Sequence, residues 1–461
     1  MLLPGVLDYA DGSENWRGFA LATFISLAAG LGLVLVTRGA DSGGLSRRQA
    51  FLLTTLVWVA LPLFGALPFI FGAPHVSFTD AYFEAMSGLT TTGATVFTGL
   101  DQAPRGMLLW RALMQWYGGV GILVVAIVFL PALRIGGMQF FRSEAFDLSG
   151  DILPRATEIA ASLSWIYTGL TALCALAYSA AGMNGFDALT HAMTTLATGG
   201  LANYDNSFAH FDKAAHYVGA IFMLAAGIPF MRYIQLTRGR ARPLLTDPQV
   251  RAYLGIAFTA ATALIIWLML KDERPFDEAF ISALFNVASV MTGTGYSGED
   301  YGAWGGFAVA IFFMLGLIGG CTGSTACSAK VFRYQVLYAA LVIQIKRIHS
   351  PHAVNPLRYA NRPVEPEVVS SIIGYFFAFV GALVIFPVLL SLMGLDTLTA
   401  ISGAAATLTN VGPGLGPVVG PAGSYQSLPD AAKWLLSLAM LLGRLEFLSV
   451  LVLLTPTFWA R

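Results

Sequence analysis

Met86-Ser87-Gly88-Leu89-Thr90-Thr91-Thr92-Gly93-Ala94-Thr95-Val96 is a run of small residues set between apolar segments. Three threonines followed by a glycine make poor helix, because β-branching restricts χ1 and glycine adds backbone freedom. A polar, extended backbone at membrane depth is tolerated only where it is buried in protein or lines water. Such a backbone also offers carbonyl oxygens, which can replace the hydration shell of a monovalent cation. The figure returns three times, as Thr194-Thr195-Leu196-Ala197-Thr198-Gly199-Gly200, Met291-Thr292-Gly293-Thr294-Gly295-Tyr296 and Leu408-Thr409-Asn410-Val411-Gly412-Pro413. Between Gly93, Gly199, Gly295 and Gly412 the spacings are 106, 96 and 117 residues, a fourfold repeat that predicts one pore lined by four loops.

The rest of the chain suits that reading. Of 461 residues, 56% are hydrophobic and only 11% charged, with a mean hydropathy of +0.69; a soluble domain carries about 25% charged residues. The chain is therefore expected to be embedded in a membrane, against lipid. Its net charge is zero and no basic patch interleaved with aromatics points to nucleic acid. Cys174, Cys321 and Cys327 lie in apolar or glycine-rich surroundings without zinc spacing, and are read as small buried residues. Met1–Trp16 has no basic n-region and holds Asp8, Asp11 and Glu14, so no cleavable signal peptide is expected.

A spanning helix needs roughly 20 apolar residues. Taken in order, spans are expected over 17–37 and 51–72, then a short helix over 79–89 running into the first loop, then a long helix over 107–131. The same unit of helix, short re-entrant helix, loop and helix follows at 158–182, 185–196 and 214–236. It recurs at 252–270, 276–291 and 304–345, and at 368–393, 396–408 and 431–458. The fold class expected is an all-α integral membrane protein with four helix–pore helix–helix repeats in pseudo-fourfold arrangement and one N-terminal transmembrane helix. The boundaries are 1–50 for that helix and its linker, then 51–133, 134–242, 243–350 and 351–461 for the repeats. Asp80, Asp187, Asp277 and Asp396 stand at the starts of the short helices, where a carboxylate can cap free amides and suits the dipole. The negative C-terminal ends would then face the loops and favour a cation.

The turns at 38–50, 134–158, 232–251 and 330–367 hold 17 of the 26 lysines and arginines, which makes them and the C-terminus cytoplasmic by the positive-inside bias. The loops would open outward beneath Asp101, Asp205, Asp212, Glu299 and Asp300. Two segments stand out. Gly316–Ser328 has four glycines and four hydroxyls in thirteen residues, with Lys330 close behind. It is either a broken helix whose unwound backbone gates the path or a helix packed tightly through small residues. Arg444 lies inside an apolar stretch, so it should face the bundle interior or water, as a barrier to cations or as a packing residue held by carbonyls. Glu446, two residues on, is about 200° round a helix and is not expected to pair with it. His191 is read as an ordinary hydrogen-bonded histidine, and Asn410 as lending its amide to shape the fourth loop.

Ser87-Gly88-Leu89-Thr90-Thr91-Thr92-Gly93-Ala94-Thr95 and Gln115-Trp116-Tyr117-Gly118-Gly119-Val120-Gly121 resemble the Trk/Ktr/HKT superfamily of potassium uptake proteins. Asn410-Val411-Gly412-Pro413-Gly414-Leu415-Gly416, Gly443-Arg444-Leu445-Glu446 and Thr455-Pro456-Thr457-Phe458-Trp459 are similar to its bacterial TrkH branch. The resemblance covers nearly the whole chain. It implies no enzyme and no organic cofactor, but potassium uptake across a bacterial inner membrane by a homodimer with one pore per subunit. A cytoplasmic nucleotide-binding regulatory subunit, TrkA-like, would dock on the basic face. Carried across, a selectivity filter holding K+ falls on Thr92, Gly93, Thr198, Gly199, Thr294, Gly295, Val411 and Gly412. A gate falls on Gly319, Gly320, Thr322, Gly323, Ser324, Thr325 and Lys330, with Arg444 below the filter.

Three departures accompany the resemblance. Ala326, Cys327 and Ser328 stand where the family carries three glycines, and Gly293 stands where relatives more often have threonine or alanine. The branch generally begins with two further helices, whereas one full span precedes residue 51, so either the start is missing or the N-terminus lies outside. The rival readings are a sodium- or proton-coupled carrier (a symporter), against which four same-direction repeats argue, and an intramembrane hydrolase using Cys321 or Ser324.

Overall fold

The structure is a computed structural model describing residues 1–39, 46–129, 136–141, 152–352 and 355–460. Parts of the basic turns expected at 38–50, 134–158 and 330–367, the end of the helix expected over 107–131, and Arg461 lie outside those residues. Among the described residues, six helices are long and apolar enough to cross a membrane, and counting each of two bent pairs as one span brings the number to eight. The protein is mostly helical, and among the described residues the only strands are a small antiparallel hairpin pairing Arg358 with Pro363 and Tyr359 with Arg362.

Four similar units are visible. Arg47–Phe71, Phe78–Leu89 and Arg105–Val124 make the first, and Ile152–Ala180, Gly185–Leu196 and Lys213–Ala226 with Phe230–Thr237 the second. Pro248–Lys271, Phe276–Thr292 and Gly306–Ile318 with Val331–His349 make the third; Pro366–Leu392, Thr397–Leu408 and Asp430–Arg444 with the short Leu448–Leu451 the fourth. The C-terminal parts of the short second helices are almost wholly buried, as Ala81 to Gly88 illustrate. The outer helices turn apolar side chains such as Leu176, Phe377 and Leu392 outward, as lipid-facing spans require.

Helix starts follow local chemistry, with one correction to the expected caps. Asp396 does cap its helix, accepting from the Thr399 N–H at 3.0 Å. In the first two short helices the cap is instead the residue three positions earlier: Ser77 accepts from Asp80 N–H and Asn184 from Asp187 N–H. Asp80 and Asp187 sit in the first turn and accept from those caps in return, an arrangement close to a capping box. The third short helix starts after Pro275 with no side-chain cap, and Asp277 lies in its first turn. The apolar start of the chain forms the helix Leu2–Ala10, and its buried Asp8 accepts from the Gly106 N–H at 2.6 Å, capping the Arg105–Val124 helix from a distance.

Two helices expected to be continuous are bent. The stretch 214–236 turns by 93° between Ala226 and Phe230. The first helix ends at its cap, Gly227, and the next is preceded by Pro229, which has no N–H to give to the ladder. The stretch 431–458 turns by 106° between Arg444 and Leu448. There Glu446 and Phe447 adopt φ of +62° and +53°, outside the helical region. Arg444 therefore ends a helix rather than occupying the middle of one. The break expected after Gly316 is present: helix stops at Ile318, with Gly319 at φ +79°, and resumes at Val331.

Candidate functional site

The four short helices deliver four loops of one conformation. The N–H of Thr92 donates to Ser87, Gly199 to Thr194, Thr294 to Ser289 and Val411 to Ala406, each at 2.9 Å. One residue earlier the backbone is left-handed in all four, at Thr91, Thr198, Gly293 and Asn410 (φ +52°, +50°, +77°, +52°). One residue later it is left-handed again, at Gly93, Gly200, Gly295 and Gly412. The register of the second loop is thus one position on from the sequence assignment. Gly200, not Gly199, is the counterpart of Gly93, and Thr198 corresponds to Thr91 rather than to Thr92. The double glycine hid this, since Thr198-Gly199 matches Thr92-Gly93 by residue type alone.

These glycines close a ring. A Cβ added at Gly93 would fall against the carbonyl oxygen of Gly199, at Gly200 against that of Thr294, at Gly295 against that of Val411, and at Gly412 against that of Thr92, all closer than 3.0 Å. Each loop therefore abuts the next in chain order, and the fourth abuts the first. Side chains larger than hydrogen would force the neighbouring carbonyl away. The C-terminal ends of the short helices point their partial negative charge toward this ring.

Buried side chains hold the loops. Gln115 brackets the second, donating from Nε2 to the Gly199 carbonyl at 2.6 Å and accepting from the Leu201 N–H at 3.0 Å. Asn410 donates to Thr92 Oγ1 and to the Met440 carbonyl, both at 2.9 Å, so its amide does shape the meeting of loops one and four. Tyr425 donates to the Gly412 carbonyl at 2.8 Å, and Ser289 to the Tyr296 carbonyl at 2.6 Å. His191 is buried and hydrogen-bonded to the Asp187 carbonyl. Glu84 and Arg111, both buried, form an ion pair at 2.8 Å; Glu84 also accepts from Thr95 and Val96, fixing the exit of the first loop. Sequence reading missed this pair, although a charge inside an apolar helix is the signal that singled out Arg444.

A cavity of about 220 Å³ opens on one side of the ring, touching Gly93, Gly200, Gly295 and Pro413. Of the five carboxylates expected around the outer mouth, only Asp205 lines it. That carboxylate accepts from the Gly99 and Leu100 N–H groups, while Glu299 pairs with Arg274 at 2.9 Å and Asp300 accepts from Gly302. Three of the five carboxylates are thus committed to backbone or arginine.

On the opposite side lies the broken helix. Its segment from Gly319 to Lys330 is stitched to the bend of the second unit: Cys321 N–H donates to Gly227, Phe230 N–H to Gly323, and Thr325 Oγ1 to Ala226. Thr322 N–H donates to Gln249, and Ser324 Oγ to the Cys321 carbonyl. The bend at Gly227 to Pro229 thus supplies the backbone groups that the unwound segment needs. Val331 N–H reaches back to Gly320 and Lys330 N–H to Ile318, closing the base of the loop.

Arg444 is only 4% exposed. Its Nη1 donates to the Thr325 carbonyl at 3.4 Å and to Cys327 Sγ at 2.8 Å. As expected it does not pair with Glu446, which instead accepts from Lys330 at 2.8 Å and from Arg333. Glu446 thereby ties the bend of the fourth unit to the restart of the broken helix, and this explains a bend that no glycine or proline announces. The three cysteines are free and buried, as expected.

The chain resembles known proteins along its full length. The TrkH family profile, described as a cation transport protein, matches residues 18–459. A Trk system potassium uptake protein TrkI from Halomonas elongata is 42% identical over 463 residues, covering 100% of this chain and 94% of that protein. TrkH of Escherichia coli K12, also named a Trk system potassium uptake protein, is 38% identical over 469 residues, covering 100% and 95%. The crystal structure of the potassium transporter TrkH from Vibrio parahaemolyticus superposes with a TM-score of 0.91 at 34% identity, covering 100% of this chain and 96% of that one. These relatives are potassium transporters, not enzymes, which removes the hydrolase reading.

Proposed function

Because the chain belongs to the TrkH family of cation transport proteins, we propose that it takes up potassium across a bacterial inner membrane through a pore lined by the four loops. The observation that carries this is the closed ring in which Gly93, Gly200, Gly295 and Gly412 each abut the carbonyl of the next loop. Carbonyls so crowded can substitute for water around a monovalent ion. The ligating set is Thr92, Gly199, Thr294 and Val411 through their carbonyls, each followed by its ring glycine. With one ring glycine per loop the filter is short, and discrimination among potassium, rubidium and sodium is looser than in a filter of several stacked sites.

In the same reading the segment 319–328 is the gate and Arg444 limits how long a cation dwells beneath the ring. Two subunits assemble, each with its own pore, and a cytoplasmic nucleotide-binding subunit sets the gate from the basic face, where the C-terminus also lies. Rubidium and sodium flux into liposomes holding the pure protein, with and without that subunit and across a range of imposed voltages, tests this. Voltage-driven rubidium entry that the subunit modulates supports it. Uptake indifferent to voltage contradicts it and favours a coupled carrier.

A further inference from the structure

Cys327 occupies a distinctive place. It lies on the side of the ring away from the cavity, against the positions that precede the ring carbonyls. Thr91 Oγ1 is 3.9 Å from its sulfur, and a Cβ added at Gly293 would lie 3.2 Å from its Cβ. The missing side chain at 293 thus makes room for the one at 327, so two of the departures from the family pattern are packed on each other. On the remaining side Arg444 Nη1 donates to the sulfur at 2.8 Å. Nε and Nη2 of that guanidinium, which is more than nine-tenths buried, meet no acceptor among the described residues. A buried donor without an acceptor carries an uncompensated desolvation cost, and here the donors belong to the group already touching the thiol.

We propose that Cys327 is an oxidation site through which a small peroxide closes the pathway. The proposal rests on the pore reading above, since the ion path is the route by which peroxide reaches a sulfur beneath the ring. The sulfur attacks one peroxide oxygen; the S–O bond forms as the O–O bond breaks. Sulfur is oxidised by two electrons to the sulfenic acid and peroxide is reduced, the departing hydroxide taking the thiol proton to leave as water. The new oxygen is an acceptor for Arg444 Nε or Nη2. It pins the 319–328 segment to the arginine and enlarges what stands under the ring. Cys174 and Cys321 receive no arginine hydrogen bond at sulfur among the described residues, so the chemistry is specific to position 327.

The test uses the full protein in liposomes and compares rubidium flux after hydrogen peroxide with flux before it in the same preparation. Dimedone labelling located by mass spectrometry is run in parallel on wild type, Cys327→Gly and Cys321→Ser. The expected result is a several-fold loss of flux in wild type and Cys321→Ser, reversed by dithiothreitol, no loss in Cys327→Gly, and a dimedone adduct on Cys327. Equal loss in Cys327→Gly, or peroxide-treated wild type without an adduct at Cys327, overturns the proposal. Absence of rubidium entry before treatment would instead reject the pore reading, and the labelling result still decides the fate of Cys327.

Discussion

Replacing Gly93 with serine perturbs the ring at one known contact. The residue sits at φ +83°, and its added Cβ would meet the Gly199 carbonyl oxygen closer than 3.0 Å, where ordinary contact begins at 3.4 Å. The carbonyl must therefore retreat by at least 0.4 Å, or the first loop must tilt by as much. A non-glycine residue in this conformation adds about 1–3 kcal/mol of backbone strain. Gln115 holds the same carbonyl at 2.6 Å from the other side, so the retreat also strains that bracket. If about 1.4 kcal/mol of this falls on the potassium complex and not on the sodium complex, their preference changes tenfold. Rubidium-to-sodium flux ratios in liposomes should fall by roughly that factor, while the purified variant keeps its wild-type elution volume. An unchanged ratio in a folded variant would refute the reasoning, because a displaced ligand must be felt by the ion.

Other outcomes follow from the gate. Arg444→Ala removes a buried positive charge beneath the ring and should raise cation flux; flux that stays level or falls would show that the arginine is structural. Deleting 319–328 should leave rubidium flux high whether or not the regulatory subunit is present, and a deletion variant with normal regulation would dismiss the segment as a gate. Glu446→Gln leaves Lys330 and Arg333 without their shared carboxylate, and breaking a buried pair in this way costs about 3–5 kcal/mol. Its melting midpoint in detergent should drop clearly below that of wild type, and an unaltered midpoint would mean that the cluster does not hold the two units together.

Much of the fold was legible because the membrane simplifies the problem. Long apolar runs mark spans, and a Thr-Gly loop after a short helix has few places to go. The short helix 185–196 was placed to the residue, and the break after Gly316 was announced by its glycines and hydroxyls. The bend at Pro229 was only partly announced, since proline removes a donor from the ladder, yet Pro62, Pro68 and Pro387 stand inside unbroken helices. The bend at Glu446 was not announced, for its cause is a carboxylate drawn to Lys330 and Arg333, more than a hundred residues away. The register of the second loop lay hidden for a similar reason: it is the folded backbone, through the hydrogen bond from Gly199 to Thr194 and the contact of Gly200 with the Thr294 carbonyl, that tells which of two adjacent glycines abuts the next loop. The true caps of the first two short helices were within reach, because Ser77 and Asn184 precede their aspartates by three residues.

The most direct test is a crystal of the protein grown in rubidium and examined for anomalous scattering. Rubidium density on the axis among the carbonyls of Thr92, Gly199, Thr294 and Val411 is the predicted result. Rubidium bound elsewhere with that ring empty, or the four loops found apart, would contradict the account.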